Sequence, residues 1–233
     1  MTHAQAGRLA SARAEVQAAL ASDAEDGALL LAAAHVLHVT RDHQWGLDAL
    51  RAARARVEGE APRILRREVA VAEALGWERE VARACAEGRV VAPRDPAWDA
   101  LELAMHRRGG DDEAALVAAE RALERAPRWA ALAMERAAIL GRLGRGEAAV
   151  AAVEAALGMS EEVAYRCEAA RVLTAVGAFA RAEAQWRAAL AGGATTAAGA
   201  LAELCLRVGD REGARGWAGR LTGAAALRVA GAV

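Results

Sequence analysis

The chain has 233 residues, of which 55% are hydrophobic but only 3% aromatic, so its apolar content is carried chiefly by Ala, Leu and Val. All 30 basic residues are Arg and 31 acidic residues bring the formal charge to −1, which argues against nucleic acid as the ligand, because phosphate binding needs a basic excess focused on one face. The odd, widely separated Cys85, Cys167 and Cys205 indicate neither a disulfide framework nor a CxxC metal knuckle; with no leader-like start and no stretch apolar enough to span a bilayer, a reducing cytoplasm is the expected setting.

Ala is the best helix former, and β-branched runs bounded by turn residues are scarce, so the expectation is an all-α chain. In chain order, Arg8 to Leu20 reads as a single helix without a partner, a half repeat over 8–21 in the place of an N-terminal cap. Helix pairs follow over 26–57, 62–90, 95–125, 128–158, 160–191 and 194–221, making about six, and 222–233 is left as a short apolar tail or cap.

The pairs are read from markers that keep one interval. Gly76, Gly110, Gly144, Gly177 and Gly209 are separated by 34, 34, 33 and 32 residues. Pro93 and Pro127 are 34 apart, and Leu123, Leu157 and Leu190 are spaced by 34 and 33. A short connection between antiparallel helices needs a residue that tolerates positive φ, and glycine supplies it. In the first pair the glycine is replaced, with Asp42 of RDHQW at the corresponding position. Around Gly109 and Gly110 the two helices fit registers one residue apart, as if the turn carried an insertion.

This period, with Gly at the turn, Ala in the second helix and Pro near the repeat end, resembles the tetratricopeptide repeat (TPR) family. The resemblance is clearest from Pro127 to Leu221, where Ala137, Leu140, Ala149 and Ala156, and then Ala170, Leu173, Ala182 and Ala189, stand at the family's small and large core positions. It implies a right-handed α-solenoid of about six TPR-like helix-turn-helix repeats plus the N-terminal half repeat, one repeat domain over 1–221. No single repeat buries its apolar face alone, so stacking neighbours stabilises such an array.

The resemblance also implies a ligand-facing surface on the first helices. The candidate groove residues there are Arg63, Arg66, Arg67, Asp99, His106, Met134, Arg142, Arg171 and Arg207, with Trp129, beside Pro127, as an exposed anchor. The Arg63, Arg66 and Arg67 cluster fits an acidic segment or a terminal carboxylate through bidentate contacts, or it is a solvated surface. Trp98 and Trp186 fall at large apolar positions and Trp45 and Trp77 at turns, and core packing is expected for at least four of the six tryptophans.

No motif for chemistry stands out. His35 and His38 share a helical face, but the repeat register turns both toward the core, and neither HExxH spacing nor an intervening acid is present. The cysteines read as buried small apolar residues. GRLGRGE, residues 141–147, joins two helices and lacks the terminal Lys-Ser/Thr of a phosphate loop. The expected function is therefore a non-enzymatic adaptor or scaffold that needs no cofactor or metal and binds a peptide or helix of a partner protein, neither nucleic acid nor membrane. An accessory subunit docking by its edges or termini onto a larger enzyme complex is the alternative, and an enzyme the more remote one.

Overall fold

The computed structural model describes residues 9–22, 26–57 and 59–220. Arg8, Leu221 and the tail expected over 222–233 lie outside the described residues. Among those described there are helices and no strand, and no helix is long and apolar enough to cross a membrane. The chain divides into two compact units between Asp111 and Asp112.

The first unit contains α1 (Leu9–Ser22), α2 (Gly27–Val39), α3 (His43–Arg54), α4 (Ala61–Leu75), α5 (Glu78–Val91) and α6 (Ala97–Gly109). The second contains α7 (Asp112–Arg125), α8 (Ala130–Arg142), α9 (Gly146–Leu157), α10 (Val163–Ala175), α11 (Phe179–Ala191), α12 (Ala197–Arg207) and α13 (Arg211–Ala218). Within each unit every helix packs on the next in sequence. The two partners expected over 95–125 fall on either side of the division, α6 in the first unit and α7 in the second.

The turn glycines do what their spacing requires. Gly76, Gly110, Gly144, Gly177 and Gly209 all have positive φ, between 69° and 81°. At each, the glycine N–H donates to a carbonyl three residues back and the following N–H to one five residues back, as in Gly177 to Thr174 and Ala178 to Leu173. This Schellman pattern satisfies the last carbonyls of the first helix while reversing the chain. Gly110 makes the same two bonds, to Arg107 and His106, so its turn carries no insertion.

The first pair corrects the sequence reading by one residue. Its left-handed residue is Arg41, with φ 63°, and not Asp42; Arg41 and Asp42 donate to His38 and Leu37 in the same pattern. Counted from Arg41, the inward positions of α2 fall on Ala34 and Leu37, 2% and 0% exposed. His35 is exposed and His38 half-buried, so neither fills the core.

With that register, five and twelve residues after each turn the second helices carry Gly46 and Ala53, Val81 and Gly88, Ala115 and Ala122, Ala149 and Ala156, then Ala182 and Ala189, and finally Ala214, all buried. The Gly and Ala at all of these positions but Val81 let helix axes approach. Gly88 is the tightest case, since a Cβ on it would overlap the ring of Trp98 from α6, which is 0% exposed. The largest side chain in the core is accommodated by the smallest residue opposite. Trp98 and Trp186 are buried as expected, but Trp45, Trp77 and Trp129 are exposed and Trp217 half-buried. Turn-flanking tryptophans sit at the rim of a helix pair, where only one face meets protein.

Two acidic residues are buried in the first unit. Glu68 on α4, 1% exposed, lies between Arg54 of α3 at 3.5 Å and Arg83 of α5 at 3.3 Å. Burial pushes its carboxyl above the ordinary range, against the pull of Arg54 and Arg83. Asp99, 0% exposed, faces Arg89 at 3.4 Å. Such pairs stitch successive helices together at a defined offset while adding little net stability.

Candidate functional site

Three grooves recur at one place in the repeat, between the first helix of a pair and the first helix of the next. The groove between α2 and α4 has a volume of about 80 Å³, and those between α8 and α10 and between α10 and α12 about 270 Å³ each. The leading helix contributes the residues six and three before its turn residue: His35 and His38, Ala138 and Gly141, Arg171 and Thr174. The following helix contributes those nine and five before its own: Arg67 and Val71, Glu168 and Val172, Ala200 and Leu204. The repeat therefore builds a site as regularly as it builds a core, and side-chain identity at these positions sets each groove's chemistry.

The first-unit groove has an apolar wall of Ala34, Leu50, Ala70 and Val71 with His35, His38 and Arg67 beside it. No ion pair engages Arg67 among the described residues. The His38 and His43 ring centroids are 5.1 Å apart, and the Nδ1 of each is buried without a hydrogen-bond partner. Burial, with His43 and His35 nearby, holds His38 below the ordinary imidazole range.

In the second unit the groove charges are unequal. Arg142 is held by Asp112 through three bonds, Nε to Oδ1 at 3.0 Å and to Oδ2 at 3.1 Å and Nη2 to Oδ1 at 2.8 Å, which raise its basicity further. Arg171 pairs with Glu168 and lies over the Trp186 ring, 5.9 Å from its centroid. Glu203 and Arg207, both exposed on α12, are engaged by no ion pair among the described residues. Trp186 of α11 and Ala175, Ala200 and Leu204 supply the apolar surface beneath them.

Of the residues expected on the ligand face, Arg67, Arg142, Arg171 and Arg207 line these grooves. Arg63 pairs with Glu60 at 3.1 Å, and Arg66 pairs with Asp95 and lies 5.4 Å from the Trp98 ring centroid. Asp99 and Met134, 0% and 4% exposed, offer no surface to a ligand. His106 is half-buried, and Trp129, 38% exposed, caps the start of α8 outside the three grooves. Sequence reasoning turned His35 and His38 toward the core and passed over Ala138, Gly141, Thr174 and Ala175. Their common register was the available signal, hidden in the first pair by the one-residue error at Arg41.

Burial pushes the Cys85 thiol up to about 12 and also raises that of Cys205, so both are held in the unreactive thiol form. Among the described residues no group of three or more His, Cys, Asp or Glu is placed to hold a metal.

No family model matches the chain, and no curated protein matches it in sequence. Solved structures do match. The C-terminal part of a TPR repeat-containing protein from Cytophaga hutchinsonii has a TM-score of 0.75 at 10% identity, over 98% of this chain and 96% of that one. A tetratricopeptide repeat protein from Parabacteroides merdae has a TM-score of 0.67 at 14% identity, over 88% and 84%. YrrB, a TPR protein, has a TM-score of 0.56 at 12% identity, over 78% and 95%. With its helix pairs, left-handed turns and small-residue register, the chain has the tetratricopeptide-repeat fold.

Proposed function

We propose that the protein is a non-enzymatic interaction adaptor whose first-helix faces bind a peptide or helix of a partner protein. The observation that carries this reading is the recurrence of one groove at equivalent register positions, between α2 and α4, α8 and α10, and α10 and α12. Each groove combines small or apolar floor residues with charged rims, the composition that peptide-recognition surfaces use. YrrB, of the same fold, has an unusual peptide-binding site. Arg67 and Arg207 favour a partner with an acidic residue, whereas the balanced charge of the whole chain disfavours nucleic acid and a membrane surface.

Ala175 is exposed and lines both grooves of the second unit, so Ala175→Trp fills them without entering the core. Affinity purification followed by mass spectrometry, with wild type and Ala175→Trp compared side by side, is expected to return a partner with the first and lose it with the second. Exposed Trp45 and Trp77 at turns of the first unit favour a second reading, an accessory subunit docking by its edge. A partner retained undiminished by Ala175→Trp would select that reading.

A further inference from the structure

We propose that the groove between α10 and α12 selects an extended partner segment carrying one basic and one acidic side chain two residues apart, read by Glu203 and Arg207. The inference rests on the peptide-binding reading above and specifies the ligand of one groove.

The charges along the second unit's face are not equally available. Arg142 is committed to Asp112 and Arg171 to Glu168, so both present locally neutral walls. Glu203 and Arg207 are exposed, line the same groove and have no ion-pair partner among the described residues, each other included. A Glu and an Arg in this order four apart on a helix can pair with each other. Here both stay uncommitted at the groove rim, above Trp186 and Leu204.

An uncommitted pair of opposite sign is a selective element. A segment with two like charges gains at one of these residues and is repelled at the other, whereas one with opposite charges gains at both. Residues four apart on a helix are separated by roughly 5–6 Å. Alternate residues of an extended segment point the same way and are separated by about 6.6–6.8 Å. An extended chain laid with its backbone over the small Ala175 and Ala200 brings alternate side chains to both residues. Either chain direction satisfies the pair, so acidic-x-basic and basic-x-acidic segments are equivalent ligands.

The test is selection from a displayed random dodecapeptide library on wild type, Glu203→Arg, Arg207→Glu and Ala175→Trp, all with circular dichroism to confirm folding. Wild type is expected to enrich segments with opposite charges two apart. A synthetic peptide of that kind should bind roughly fivefold more weakly to each charge reversal. Glu203→Arg should then prefer two acidic residues and Arg207→Glu two basic ones. Peptides lost with Ala175→Trp but indifferent to both reversals would overturn the charge-pair inference and leave the groove reading standing. Failure to enrich any peptide, or retention by Ala175→Trp, would remove both. Dimerisation in sedimentation velocity, abolished by Arg207→Glu, would assign the groove to a second copy of the chain and overturn the proposal.

Discussion

Arg41 occupies a backbone conformation that every later pair gives to glycine, and a non-glycine residue there is strained by about 1–2 kcal/mol. Arg41→Gly relieves the strain but adds backbone entropy to the unfolded state, about 0.5–1 kcal/mol, so a net gain of about 0.5–1 kcal/mol is expected. Thermal denaturation should show it as a melting temperature raised by about 2 °C. Close by, His38 is held below the ordinary imidazole range by burial, with His43 and His35 adding repulsion and Arg67 facing the same groove from α4. Asp42, paired with Arg13 of α1 at 2.8 Å, is the neighbouring anion. The unfolded state binds the proton more tightly than the folded one, so His38 costs stability as pH falls through its unfolded value of about 6.5, and the loss levels off below the folded value. Urea denaturation between pH 8 and pH 5 should show this slope, and His38→Gln should flatten it. The sequence announced a missing glycine in this turn and pointed to Asp42, whereas Arg41 takes the left-handed conformation. Both are tolerable by local rules, and the packing of Ala34 and Leu37 against α3 decides between them.

At the scale of helices, the turns were legible because positive φ is a local requirement that few residues meet. The small positions of the second helices were legible for the same kind of reason: a fixed count from the turn fixes the face. Gly88 was not singled out, because its meaning depends on Trp98 ten residues on in another helix. Gly88→Ala should improve helix propensity by about 1 kcal/mol yet overpack against Trp98 by about 1–3 kcal/mol, for a net destabilisation of up to about 2 kcal/mol. In a Trp98→Leu background the same change should be neutral or stabilising. A double-mutant cycle by denaturant titration measures that reversal, and equal effects in the two backgrounds would refute the proposed contact. The buried Glu68 was equally hidden, since its place on α4 reads as a helix surface charge until Arg54 and Arg83 close over it.

Across the whole molecule, helix-repeat stability is a sum of neighbour interactions, so damage to one contact should remain local. Hydrogen exchange of Gly88→Ala is accordingly expected to show lost protection in α4, α5 and α6 and unchanged protection in α8 to α11 of the second unit. Loss spread evenly over both units would contradict that picture. The candidate site was half legible at this scale: Arg67, Arg142, Arg171 and Arg207 were expected on the first-helix face and do line its grooves. Asp99 and Met134 were expected there too and are buried, because adjacent positions on a helix differ by about 100° and a one-step register error carries a side chain from rim to core. Composition and period by themselves determined the helical content and the positions of the five turn glycines, since these depend on propensities and φ preferences that act within a few residues. Only the tertiary structure decided which charges are spoken for and which are free. Arg66 meets Asp95, and Arg142 meets Asp112, across about thirty residues of chain, and no local pattern distinguishes those arginines from Arg207.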